Sequence, residues 1–119
     1  MNTVIYHNTR CSKSRATMAL LEENGITPQT IYYLETPPTP EELDSILIML
    51  NKQPQDIIRF GEAVAKELNI SSRDERTRTQ WIELMVNHPI IIERPIVVMG
   101  DKAVLGRPPE NVLTLINSR

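Results

Sequence analysis

One cysteine, Cys11, stands in a cluster of cations. Arg10 precedes it, Lys13 and Arg15 follow it, and His7 lies four residues back. The thiolate is the nucleophilic form of cysteine, and nearby positive charge lowers a thiol's pKa. The stretch Thr-Arg-Cys-Ser-Lys-Ser-Arg is polar throughout, which argues against a buried core thiol. A helical pattern begins at Ser12, so the sulfur falls at a helix N-terminus. Unpaired backbone N–H groups and a partial positive charge there favour an anion. Cys11 therefore reads as a nucleophile at a site that would also bind an anion.

Spacing narrows the chemistry. Ser14 occupies the second position of a Cys-x-x-Cys pattern, so any disulfide that Cys11 makes is with another molecule. The residue six after Cys11 is Thr17, where a phosphatase-type loop requires arginine. A papain-like protease needs a longer chain. One cysteine and two scattered histidines do not make a zinc site. Ser14 reads either as a cap-region hydroxyl or as a donor to the Cys11 sulfur. His7 either raises the thiolate fraction when protonated or is a satisfied strand-end histidine. Asn8 fixes the turn by bonding backbone groups.

The elements around this turn follow from periodicity and breakers. Val4–Tyr6 is a β-rich run, Ser12 to Glu23 is helical, and Asn24-Gly25 ends the helix. Thr30–Leu34 reads as a second strand, which completes a βαβ unit. Thr39, Pro40 and Glu42 form a capping box with proline at the first helical position. The helix that follows carries Leu43, Ile46, Leu47 and Leu50 on one face. Short helices are expected from Pro54 to about Phe60 and from Ala63 to Leu68. Arg73–Thr79 is loop or helix start, and a helix with Trp81, Leu84 and Met85 stops before Pro89. Arg73, Arg76 and Arg78 read as a solvated face, Trp81 as core, and His88 as a helix-end cation. Of Tyr32 and Tyr33, at least one should pack, because adjacent strand residues face opposite ways. Pro95–Met99 is a buried strand, Gly100-Asp101 a hairpin turn, and Ala103–Gly106 its partner. A last helix opens at Pro108-Pro109-Glu110 with Val112, Leu115 and Ile116 inward. The order is βαβ, a helical insert over about 39–88, then ββα. The expected fold is α/β and thioredoxin-like, in a single domain over residues 1–119.

Composition agrees. The chain has 119 residues, 40% hydrophobic and 24% charged, enough for one core without disulfides. A lone cysteine suits a reducing compartment, and no leader sequence or spanning segment is expected. A net charge of -2 leaves no electrostatic footprint for nucleic acid.

Several motifs in order also resemble a known family. They are His7-Asn8-x-x-Cys11-x-x-Ser14-Arg15, Leu34-Glu35-Thr36-Pro37-Pro38, Glu93-Arg94-Pro95-Ile96-Val97-Val98 and Gly106-Arg107-Pro108-Pro109-Glu110. Together they resemble the arsenate reductases, and more specifically a divergent subgroup of their glutaredoxin-coupled bacterial branch. Thr9, Ser12 and Lys13 stand where better-characterised members carry Pro, Gly and Thr.

The resemblance implies reduction of arsenate to arsenite through an adduct on Cys11, assisted by His7 and Ser14. Three arginines would hold the oxyanion: Arg59, Arg94 and Arg107. Forked guanidiniums suit a tetrahedral anion. As alternatives, Arg59 reads as a surface arginine and Arg94 as a strand-edge charge. Arg94–Pro95 is expected to be cis, as in thioredoxin-like folds. The resemblance further implies no tightly bound cofactor and no metal. Glutathione would be the reducing co-substrate and glutaredoxin the protein partner. The enzyme would act as a cytoplasmic monomer in arsenic detoxification. Two other readings compete. One is a glutathione-dependent monothiol oxidoreductase with another substrate. The other is a polymerase-binding regulator of the same fold, although such regulators typically carry the Cys-x-x-Cys that this chain lacks.

Overall fold

The computed structural model describes residues 2–119, so only Met1 of the expected domain lies outside it. The chain divides into two compact units. The first comprises the residues up to Thr36 together with Arg94–Arg119, and the second is Pro37–Glu93. The stretch expected to form a helical insert, about 39–88, lies within the second unit.

The first unit is built on a four-stranded sheet in the order β2-β1-β3-β4. β1 is Thr3–His7, β2 Gln29–Tyr32, β3 Ile96–Met99 and β4 Lys102–Leu105. β1 runs parallel to β2, with Tyr6 opposite Ile31. It runs antiparallel to β3, with Ile5 opposite Val97, and β3 pairs antiparallel with β4. Helix α1, Ser12–Glu23, makes the crossover from β1 to β2. It ends at Asn24 and Gly25, the latter at φ 75°, a left-handed conformation suited to glycine. A 3-10 turn at Pro109–Asn111 leads into the C-terminal helix Val112–Asn117. Ile5, Leu21, Val97, Met99, Val112, Leu115 and Ile116 form the buried core of this unit. Three expected inward residues of the last helix, Val112, Leu115 and Ile116, are all there.

Several boundaries differ from the sequence reading, three of them next to the site. β2 ends at Tyr32 rather than Leu34, because Glu35 N–H and Thr36 N–H both turn back to Tyr32 O at 3.0 and 2.9 Å. That closed turn takes Tyr33 and Leu34 out of the ladder. Tyr33 is buried, while Tyr32 and Leu34 are exposed. β4 spans Lys102–Leu105, one residue earlier than expected: Gly106 N–H still donates to Pro95 O at 2.9 Å, but Pro95 has no N–H to return the bond, so the ladder ends there. The last α-helix begins at Val112, after the proline-initiated 3-10 turn. Arg94–Pro95 is cis as expected, and Arg107–Pro108 is cis as well.

The second unit is helical. Its α2, Pro40–Leu50, carries the expected capping box. Thr39 Oγ1 accepts from Glu42 N–H at 3.1 Å, and Glu42 Oε1 accepts from Thr39 N–H at 3.0 Å. We expect Thr39→Ala to lower stability by about 1 kcal/mol, the usual worth of an N-cap hydroxyl, as read by thermal melting. A 3-10 turn at Pro54–Ile57 and a short α3, Ala63–Glu67, follow. α4, Arg78–Asn87, opens on a second capping box, Thr77 with Gln80, at a stretch whose helix start the sequence reading left open. Trp81 is core, at 1% exposure, and packs edge-on against Phe60. Arg76 lies over the Trp81 ring, and Arg78 pairs with Asp44 at 2.7 Å. His88 is the C-cap residue of α4. A 3-10 turn at Pro89–Ile91 and an antiparallel bridge between Ile58 and Ile92 complete the unit. Among the described residues no helix is long and apolar enough to cross a membrane.

Candidate active site

The turn from β1 into α1 is closed by its own backbone. Cys11 N–H bonds Asn8 O at 3.0 Å, and Arg10 N–H bonds Asn8 Oδ1 at 3.0 Å. This is the turn-fixing role expected of Asn8. Arg15 reaches back from the helix, its Nη1 donating to Thr9 O at 2.8 Å. The loop is therefore tied at both ends before any substrate arrives.

Cys11 is the N-cap residue of α1, in extended conformation. Its side chain makes no cap hydrogen bond of the usual geometry. As a thiolate it gains several partners. Burial pushes the thiol's pKa up. The backbone N–H groups of Ser14 and Lys13, then a hydrogen bond and the positive charge from Arg94, more than offset this, and the net shift is downward. Arg107 adds a further donor, its Nη1 lying 3.8 Å from Cys11 Sγ, and the same nitrogen donates to Arg94 O at 3.1 Å. A guanidinium so close to sulfur favours the thiolate by simple charge attraction.

The sign of the shift makes a prediction. Alkylation of Cys11 by iodoacetamide should rise with pH around a midpoint below that of a free cysteine, about 8.5. The same depressed pKa stabilises the fold fully above the unfolded thiol's pKa and loses that contribution as pH falls through the folded one. Stopped-flow alkylation across pH checks the first statement, with the unfolded chain as reference.

Ser14 and His7 form a pair of their own. His7 Nδ1 and Ser14 Oγ are 2.6 Å apart, and both residues are buried. Ser14 Oγ also accepts from Asn8 N–H at 3.1 Å. The Ser14 hydroxyl thus serves the turn, while its backbone N–H serves the sulfur. Burial, and secondarily the charge of Arg15, push the His7 pKa below the usual imidazole value. This favours the neutral imidazole, whose ring bonds Ser14 and tilts against Tyr32 at 6.0 Å between centroids.

Cys11, Arg94 and Arg107 are thus brought together in the first unit. His7 and Ser14 buttress the turn beneath the thiol. Arg59 belongs to the second unit, where its guanidinium pairs with Glu62 at 2.8 Å and Glu93 at 3.3 Å. Among the described residues no group of three or more His, Cys, Asp or Glu is placed to hold a metal ion. Sequence reasoning missed Asn111, whose side chain bonds the carbonyls of Leu105 and Arg107. Its place in the Pro-Pro-Glu-Asn run just after Arg107 was the available signal.

Comparison with known proteins places the chain in a family. The model of the ArsC family matches residues 6–115. YfgD of Escherichia coli K12, an uncharacterized protein, is 44% identical over 113 residues, which is 94% of each chain. An arsenate reductase of Haemophilus influenzae is 41% identical over 117 residues, 98% of this chain and 100% of the relative. The solved arsenate reductase from Vibrio cholerae superposes with a TM-score of 0.90 at 47% identity, covering 96% of this chain and 97% of that one. The chain therefore belongs to the ArsC family and has its thioredoxin-like fold.

Proposed function

We propose that this protein is an arsenate reductase whose nucleophile is Cys11, with glutathione as the electron donor and glutaredoxin as the recycling partner. The observation that carries the reading is the thiol at the start of α1, its pKa lowered, with Arg107 Nη1 at 3.8 Å. Such a group is both a nucleophile at neutral pH and half of an oxyanion site. The arsenate reductases among its relatives support the choice of substrate.

In this mechanism the Cys11 thiolate attacks arsenic(V), forming a sulfur–arsenic bond, and a protonated hydroxyl leaves as water. The glutathione thiolate then attacks the Cys11 sulfur. A sulfur–sulfur bond forms, the sulfur–arsenic bond breaks, and its electron pair reduces arsenic to the trivalent state. Arsenite departs. Cys11 is left as a mixed disulfide with glutathione, because the chain has no second cysteine to resolve it. Glutaredoxin thiol exchange then frees Cys11.

Arg94 and Arg107 balance the anion's charge through these steps, with directed charge-assisted bonds. Arg59 is the third oxyanion ligand of the proposal. Two carboxylates offset its charge, so its share is expected to be smaller. Neutral His7 acts through Ser14, holding the turn that carries the thiol. The proposal places the chain in the cytoplasm, where glutathione is kept reduced, working as a monomer and as one functional domain over residues 1–119.

The test is NADPH oxidation coupled through glutathione reductase, with arsenate, glutathione and glutaredoxin omitted one at a time. The proposal expects turnover only when all three are present. Turnover on a glutathione mixed disulfide without turnover on arsenate would replace it with a monothiol oxidoreductase acting on another substrate.

A further inference from the structure

Asn111 ends the 3-10 turn Pro109–Asn111, four residues beyond Arg107. Its side-chain nitrogen Nδ2 donates to Leu105 O at 3.1 Å and to Arg107 O at 3.2 Å. Those two carbonyls flank Gly106. Both are acceptors, so the amide can be oriented only with its nitrogen toward them.

The opposite side of Gly106 is held as firmly. Its N–H donates to Pro95 O at 2.9 Å. A Cβ at this position would lie 2.7 Å from Pro95 Cγ and closer still to Thr17 Oγ1. Thr17 is fully buried, and its hydroxyl donates back to Lys13 O at 2.8 Å. The backbone around Gly106 is thus fixed between α1 and the start of β3 on one side and the Asn111 amide on the other. Arg107 leaves this clamp toward Arg94 O and the Cys11 sulfur.

We propose that Asn111 is a positioning residue, which aims the Arg107 guanidinium at the Cys11 thiolate by pinning the carbonyls on either side of Gly106. The proposal rests on the reading of Cys11 and Arg107 as the reacting site. A long, flexible arginine contributes most when its backbone origin is fixed beforehand, because orientation is then not lost on each binding event. Asn111→Ala removes both bonds. Asn111→Asp sets a carboxylate against two carbonyl oxygens. Asn111→Ser keeps a single hydroxyl donor.

The experiment is a double-mutant cycle of Asn111→Ala with Arg107→Gln, read by the pH midpoint of Cys11 alkylation, by KM and kcat for arsenate, and by thermal melting. If Asn111 acts through Arg107, Asn111→Ala raises the alkylation midpoint and raises KM for arsenate by about tenfold, a size set by modest misplacement of a binding group. In the Arg107→Gln background it changes neither quantity further, while any loss of melting temperature appears in both backgrounds. Asn111→Ser falls between wild type and alanine, and it serves as the reading if the alanine protein does not fold. Equal effects in both backgrounds, or an unmoved alkylation midpoint with only a lowered melting temperature, would overturn the proposal. The alkylation arm needs no arsenate, so it still decides the matter if the wild-type protein fails to reduce arsenate.

Discussion

Cys11→Ser is expected to abolish arsenate turnover, lowering kcat/KM on the order of a thousandfold or more, as removal of a covalent nucleophile does. Serine keeps the N-cap position and nearly the same volume, so stability should change little. The loss is chemical. An alcohol at a helix start remains protonated at neutral pH. Its oxygen cannot take part in the sulfur–sulfur bond that, in the proposed mechanism, carries two electrons to arsenic. The donors now serving the sulfur, namely the N–H groups of Ser14 and Lys13 and the guanidiniums of Arg94 and Arg107, would face a neutral group. Melting curves and coupled turnover of the two proteins check both halves of the statement. Near-wild-type turnover by the serine protein would remove Cys11 from the mechanism.

Arg94→Gln and Arg107→Gln should each cost about 10²–10³-fold in kcat/KM for arsenate, the range seen when a charged donor is taken from a developing anion. Glutamine keeps a hydrogen-bond donor but loses the charge and the fork. Each change should also raise the pH midpoint of Cys11 alkylation. Arg94 donates to the sulfur and adds its charge, and Arg107 lies 3.8 Å from it. Arg59→Gln provides the contrast. Its charge is already offset by Glu62 and Glu93, so the expected loss is several-fold less than at Arg107. Steady-state kinetics on the three proteins order these effects. A larger loss at Arg59 than at Arg107 would show that the oxyanion is held differently.

These expectations come from residues that differ in how openly the sequence displays them. Cys11 was legible because its cations lie within a few positions along the chain and the helix start follows at once. Such local features do not depend on how distant segments pack. The βαβ start, the hairpin and the Thr39 capping box were legible for the same reason, since each is a short-range pattern of turn and cap residues. The end of β2 was misjudged, because Tyr33 and Leu34 continue an apolar run that looks like strand. Only the turn of Glu35 and Thr36 onto Tyr32 O shows where the ladder stops. The neutral state of His7 was equally hidden. It depends on burial and on the charge of Arg15, and the ring's partner Ser14 lies seven residues away, which no spacing rule connects to it. Arg94 and Arg107 were found through family motifs. Their meeting at Cys11 joins positions more than eighty residues apart, which periodicity does not reach. Asn111 was missed because an asparagine after two prolines reads as ordinary turn chemistry. Its role rests on carbonyl groups, which carry no side-chain signature.

The most direct test of the central claim is a single turnover with arsenate and glutathione but no glutaredoxin. Arsenic speciation and the intact mass of the protein would be read on the same sample. The account predicts about one arsenite per chain, with Cys11 carrying one glutathione in disulfide linkage, because the step that reduces arsenic is the one that forms this bond. Arsenite formed while Cys11 stays free of glutathione would contradict the account. So would a glutathione adduct that forms equally well without arsenate and yields no arsenite.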